Sequence, residues 1–549
     1  MAPKGRLQHP ESEDLHFFII LSNFNMLLTF WEFQDPGGEV EVPRLKNYLS
    51  MMLIISALSY FLLYILRFSS YVIDDAYIHL RIARNIAEHG VPYFNLHEKV
   101  MGSSPHLWIN LMALLMKIFG FQLFHVAIAT WLFTSASFGC CVDLLSERFS
   151  QVEAVVISWL LIALLLLPSA AGLMETPMAI FIFFLMFVFL KRSEYFWSGL
   201  MMGLAVWLRF EFFALSVLAV AFTGGLVNKR KIVLGAFAPL AGYVIYCWSY
   251  FDTLVPFPVI SKPSVFTITL KEFFNEMPSV TNYPMSTWQY ISPNAKIILI
   301  CLSLGALISF LFYTGLRRYL RTWPFLMLTF SASVLVVYAL KRVYVFSWYT
   351  PLFVLPLAIS MLTLLDKKKS LYFAPLLIVS FINVFFIGCV NTYAMLSGND
   401  SYYDDYVPGL RVQKYLTIGA KIFADYPNAT LMTAEIGALG WAFPGRVLDG
   451  AALVSPQVLK YHPVPVPEDR PWNMAGAIPV RSVQELKPDI IVSMPTFARG
   501  VLREIQSGAL PYKLLESQLI LTSEEQQFSK TKTLWGSETI YVFKLDDAK

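Results

Sequence analysis

The chain has 549 residues, 56% of them hydrophobic and 15% charged, with a net charge of +4. A soluble domain carries about 25% charged residues, so an ordinary cytosolic enzyme is excluded and many segments must face lipid. The small net charge gives no sign of a nucleic-acid partner. The five cysteines (Cys140, Cys141, Cys247, Cys301 and Cys389), all in or beside apolar runs, suggest neither a disulfide framework nor a zinc site.

Residues 1–45 read as an N-terminal extension. Within it, 15–31 (LHFFIILSNFNMLLTFW) is apolar but short for a span and is interrupted by Asn23 and Asn25, so the sequence leaves open whether it crosses. Pro36-Gly37-Gly38 reads as a linker. Apolar runs follow at 48–67, 122–141, 152–168, 176–190, 196–210, 212–226, 232–250, 295–314, 323–340, 346–364 and 371–390, with a doubtful one at 106–119. Lys and Arg are retained on the cytoplasmic side of membranes. If 106–119 lies along the outer surface and the other eleven cross, all five basic clusters fall inside: Arg44/Lys46, Lys191/Arg192, Lys229–Lys231, Arg317/Arg318/Arg321 and Lys367–Lys369. If 106–119 crosses as well, the later four fall outside. The expected architecture is therefore a polytopic α-helical membrane domain over 46–391 with about eleven spans, followed by an extracytoplasmic domain over 392–549. In that tail TLMTAE (430–435), DIIVS (489–493) and TIYVFKL (539–545) read as buried strands, so an α/β fold is expected.

The loop 68–121, the loop 252–294 and the tail then share the outer face, and the ionisable residues gather there. Asp74 and Asp75 stand just past the first span, where adjacent carboxylates raise each other's pKa. An amphipathic helix follows, with Ile78, Ile82 and Ile86 on one face, and Asp74 could equally be its cap. Glu175 opens a span, as a functional acid or as helix-terminal charge compensation. Arg209 and Glu211 interrupt a long apolar stretch, as site residues or as a mutual ion pair. Lys262 heads the long outer loop, and Lys341-Arg342 is a basic pair on the side where the bias disfavours it, which points to an anionic ligand. The aromatics of SWYTP (347–351) read as an interfacial belt. A channel or transporter would place polar groups at mid-membrane; these runs are clean inside and charged at one end.

These residues resemble a family. DDAYIHLRIARNIA from Asp74, followed by FNLHEKVMGSSPHLW, is similar to the first outer loop of bacterial GT-C glycosyltransferases, and most similar to the arabinofuranosyltransferases of mycobacterial cell-wall assembly. Met174-Glu175-Thr176 resembles their second acidic motif, and Arg209-Phe210-Glu211 stands where they often have Arg-Pro-Glu or Arg-Pro-Asp. TAEIGALGWAFPGRVLDGAALVSP (433–456), which contains Glu435, resembles a block of their tail. The likeness covers 46–545; Phe210 departs from the usual proline, and His79 and His97 are not family hallmarks.

The resemblance implies an enzyme of the bacterial plasma membrane that takes a sugar, arabinofuranose, from a polyprenyl-phosphate donor in the bilayer. The acceptor is a glycan or glycoconjugate outside. The family's essential acid matches Asp74, with Asp75 beside it as the second catalytic candidate. The departing lipid phosphate needs positive charge, from Arg209, Lys262, Lys341 or Arg342, or else from a divalent cation on Asp75 and Glu175. Glu175, Glu211 and Glu435 form a second acidic group. No other cofactor is expected. Two alternatives stay open: a GT-C enzyme acting on protein, such as a mannosyltransferase or an oligosaccharyltransferase-like catalyst, and a non-catalytic sugar-lipid flippase.

Overall fold

The computed structural model describes residues 42–265, 322–341, 346–364, 388–471, 476–528 and 533–546. The chain divides into two compact units, Met1–Met51 and Met52–Lys549. The first is described only where helix α1 (Val42–Phe68) begins. The segment 15–31, the expected span 295–314, nearly all of 371–390, and Arg342 lie outside the described residues.

In the second unit α1 is followed by α2 (Asp74–His89), α3 (His106–Phe119), α4 (Leu123–Leu145), α5 (Gln151–Ala171), α6 (Thr176–Lys191), α7 (Tyr195–Val206) and α8 (Phe212–Phe222). Then come α9 (Leu226–Phe251), α10 (Phe257–Val265), α11 (Trp323–Lys341) and α12 (Pro351–Leu364). Among the described residues five helices are long and apolar enough to cross a membrane, namely Lys46–Phe68, Leu123–Leu145, Gln151–Ala171, Leu226–Phe251 and Ser347–Leu364. Helices α3, α6, α7, α8 and α11 are apolar but shorter. The sequence reads 196–210 and 212–226 as two abutting spans, yet α7 stops at Val206 and α8 starts at Phe212. The charged Arg209-Phe210-Glu211 corner takes up the residues between them. An α8 of 11 residues is ~16 Å long, against the ~30 Å of a hydrocarbon core.

Local chemistry explains the other breaks. Ser150 and Glu153 form a reciprocal capping box that starts α5. Further along, a single π-turn at Ile162–Leu166 precedes Pro168, which has no N–H to give an α-helical bond. Helices α7 and α9 lie main chain to main chain. A Cβ on Gly199 would sit 2.1 Å from the Ile232 carbonyl oxygen, and one on Gly235 would sit 2.0 Å from that of Phe196. Small residues at such crossings let apolar helices associate where there is no hydrophobic force between them.

The sheet lies in the same unit as the apolar helices. After α13 (Tyr406–Asp425) it is built from β1 (Leu431–Thr433), β2 (Val447–Asp449), β3 (Ile490–Ser493), β4 (Tyr512–Leu519) and β5 (Thr539–Leu545). The order is β2-β1-β3-β5-β4. Strands β2, β1 and β3 are parallel, and β5 then pairs antiparallel with both β3 and β4. The three strands expected from the sequence are β1, β3 and β5; β2 and β4 are additions. Met432, Leu448, Ile491 and Val501 form the core under the sheet.

Candidate active site

The site forms where α2 meets the C-terminal ends of the parallel strands, the side of such a sheet on which ligands gather. Asp74 is the first residue of α2 but does not cap it: Ile73 holds the cap position with no side-chain bond. Its carboxylate instead accepts the N–H groups of Gly437 and Ala438, at 3.0 and 2.9 Å, at the start of helix α14 (Gly437–Ala442). The approach is close enough that a Cβ on Gly437 would lie 1.8 Å from the Asp74 carbonyl oxygen.

Two turns along α2, buried Arg81 reaches the other end of α14. Its guanidinium donates to the carbonyls of Gly440, Phe443 and Gly445, the last two at 2.9 and 2.8 Å, and its Nε donates to Phe94 O at 2.8 Å. One helix thus supplies an anion to the N-terminus of α14 and a cation to its C-terminus, matching its dipole. Asn95 extends the dock: its amide exchanges hydrogen bonds with the backbone of Val447 in β2, at 2.9 and 3.1 Å. The two most specific blocks of the resemblance, 74–108 and 433–456, therefore pack on each other.

With Asp74 engaged, Asp75 is the carboxylate left over. It is half-buried and has no hydrogen bond or ion pair among the described residues. Burial pushes its pKa up to about 7; Lys262 and Arg411 pull against this, while Asp74 and Glu175 add to it. Two cations and two acids are thus within electrostatic reach of it.

Glu175, fully buried at the N-terminus of α6, lies 3.4 Å from Arg209 Nη1 and 3.8 Å from His79 Nδ1. His79 is one turn beyond Asp75 on α2, and burial lowers its pKa while Glu175 pulls it back up. Arg209 pairs with Glu175 rather than with Glu211, whose carboxylate accepts the hydroxyl of Tyr338 at 2.6 Å. The Arg209 guanidinium stacks 3.8 Å from the centre of the Tyr349 ring. Its Nε and Nη2, buried, have no partner among the described residues. Those two donors form one edge of the guanidinium fork, the geometry that grips carboxylate or phosphate oxygens in pairs.

Lys262, on α10, donates to the Tyr349 hydroxyl at 2.7 Å. It is positioned because Val265, three residues on, packs in a small core with Ala451, Ala452 and Val458 of the tail. Tyr349 is therefore no belt residue: it is buried and held between two cations. Lys341 is exposed at the end of α11, one turn beyond Tyr338.

From the tail, Glu435 follows β1 and forms an ion pair with Arg411 of α13. Asp449 ends β2 and is held by the N–H groups of Ala451 and Val454, at 2.8 and 3.1 Å. Sequence reasoning misses Arg411, Tyr349 and Asp449 as site residues. Arg411 sits in an amphipathic helix where any polar residue looks like solvent-facing charge, and only the tertiary contact distinguishes it. Among the described residues no group of three or more His, Cys, Asp or Glu is disposed to hold a metal ion. The Asp75 and Glu175 pair expected to hold a cation faces guanidinium and ammonium groups instead, a poor fit for an ion that wants six or more oxygens. Compared with known proteins, the chain matches no family model and no curated protein sequence.

Proposed function

We propose that this protein is a membrane glycosyltransferase of the GT-C type. In this reading it moves a sugar, arabinofuranose by the resemblance, from a polyprenyl-phosphate donor to a glycan or glycoconjugate acceptor. One observation carries the reading. An unpaired carboxylate, Asp75, and a buried guanidinium edge on Arg209 share a polar cluster at the ends of otherwise apolar helices. That is the level at which a lipid-borne phosphate and a soluble acceptor meet.

The roles follow from the chemistry. Asp75 takes the proton of the acceptor hydroxyl as its oxygen bonds to the anomeric carbon. The bond from that carbon to the phosphate oxygen breaks, and its electron pair leaves with the polyprenyl phosphate, through an oxocarbenium-like state. Arg209 and Lys262 hold the departing phosphate. Glu175 fixes Arg209 through Nη1 and leaves the opposite edge for the ligand. Asp74, in this scheme, positions its neighbour.

The test is mass spectrometry of products made by the purified protein from polyprenyl-phosphate sugars and an oligosaccharide acceptor. An acceptor gaining one sugar, with free polyprenyl phosphate released, is the expected result; donors left intact across the series overturn the proposal. Because the base must be ionised and Asp75 is held near pH 7, kcat/KM should fall as pH drops through about 7.

We further infer eleven spans, with the site and the tail on the periplasmic face of a bacterial plasma membrane. The placement of the basic clusters supports this. A reporter enzyme active only in the cytoplasm, fused after Lys549, should be silent, and an active fusion refutes the orientation.

A further inference from the structure

Helices α6, α7, α8, α11 and α12 each have one end near the polar cluster, at Glu175, Arg209, Glu211, Tyr338 and Tyr349. Their other ends meet around a second feature. A cavity of about 470 Å³ is lined there by Arg148, Lys191, Ser193, Tyr195, Thr223 and Trp323, among others. The 16 residues of α6 put the two features ~24 Å apart. We propose that this cavity seats the phosphodiester headgroup of an anionic phospholipid.

The charge and the wall composition both favour that occupant. Arg148 is exposed and its side chain has no partner among the described residues. Asp143 is shared by two cations, Lys191 at 3.3 Å and Arg192 at 2.9 Å. Glu147 accepts the Trp323 indole N–H at 3.4 Å. Of the charged side chains that line the cavity two are basic, Arg148 and Lys191, and one is acidic, Glu147; Lys191 is engaged with Asp143, which leaves Arg148 as the basic group open to a ligand. Ser193 and Thr223 add hydroxyls to the lining, while Leu190, Phe222, Leu326 and Leu364 supply an apolar wall. Phe196 and Trp197, 44% and 50% exposed, flank Tyr195 of the lining as an outward apolar surface. A free phosphate would use the polar half alone. A lipid uses both halves, with its acyl chains continuing along the apolar helices. Surface basic residues near apolar helix ends favour anionic headgroups on general electrostatic grounds.

The experiment is native mass spectrometry of the full-length protein in detergent, with phosphatidylglycerol, phosphatidylcholine of the same acyl chains, and inorganic phosphate as separate probes. The wild type should retain phosphatidylglycerol in preference to phosphatidylcholine. Arg148→Gln should weaken that retention by about fivefold, while Arg230→Gln, an exposed basic residue outside the lining, leaves it unchanged. Equal retention by wild type and Arg148→Gln overturns the proposal. So does inorganic phosphate that competes the lipid away at similar concentration, which makes the cavity a soluble-anion site. The Arg148 side chain holds no partner in the described fold, so the variant should melt with the wild type in lipid-free detergent, and this measurement separates lost binding from lost structure.

Discussion

Asp75→Asn is expected to lower kcat by roughly 10²–10⁴-fold, the usual contribution of a general base, while the melting temperature holds or rises. The carboxamide keeps the size of the side chain and cannot take a proton. The stability half follows from the raised pKa. Between the ordinary carboxylate range and about 7 the unfolded chain gives up a proton that the folded chain keeps. Rising pH across that window therefore favours unfolding, by at most about 1.4 kcal/mol for each step of one pH unit. Asn, which does not titrate, removes this dependence. The wild type should lose melting temperature relative to Asp75→Asn as pH climbs from about 4 to 7, with the difference flattening above that window. A variant that turns over near the wild-type rate takes Asp75 out of the chemistry.

The neighbouring position should behave in the opposite way. Asp74→Asn is expected to cost about 1–3 kcal/mol of stability, with activity at temperatures well below melting closer to wild type than that of Asp75→Asn. At an ordinary helix cap Asn and Asp are nearly equivalent. Here two backbone N–H groups each occupy one carboxylate oxygen. An amide offers one oxygen and turns its NH₂ toward the second donor, leaving a buried N–H unpaired. Gly437→Ala tests the same dock from the other side: its new methyl would meet the Asp74 carbonyl and must push α14 away from α2. Both variants should lower the melting temperature. If Asp74→Asn instead melts with the wild type and is inactive, Asp74 is the base and Asp75 is its support.

Composition and periodicity make the helical membrane character readable, because lipid demands long uncharged runs whatever they pack against. Nine of the expected spans fall on described residues, and each of those stretches contains a helix, though the Arg209 corner ends α7 at Val206 and α8 already stops at Phe222. The strands β1, β3 and β5 are legible as apolar runs. Strand β2 is not, since only Val447 and Leu448 are apolar between Arg446 and Asp449, and Asn95 and β1 hold it in place. Strand β4, with Leu514, Leu515 and Leu519 exposed, lacks clean alternation.

The site is half legible. Charges that interrupt apolar runs stand out, so Asp75, Glu175, Arg209 and Lys262 can be picked singly. Their partners cannot: Arg209 reaches back to Glu175 rather than across to Glu211. Which of two adjacent carboxylates is engaged depends on a helix 363 residues downstream, and no local pattern carries that information.

The double grip on α14 also sets an order of events during synthesis. Asp74 and Arg81 emerge early, but the groups that satisfy them are 363 and 359 residues further along. Until those residues are made, the Asp74 carboxylate lacks both of its N–H donors, and Arg81 has only Phe94 and Asn95 as near partners in the sequence. The entropy of closing so long a loop grows only slowly with its length, so the delay is one of waiting for the partner, not of finding it. A chain released before residue 437 would lack the N–H groups that hold Asp74 and the distant carbonyls that hold Arg81, so this dock can form only once α14 and the residues just after it have been made.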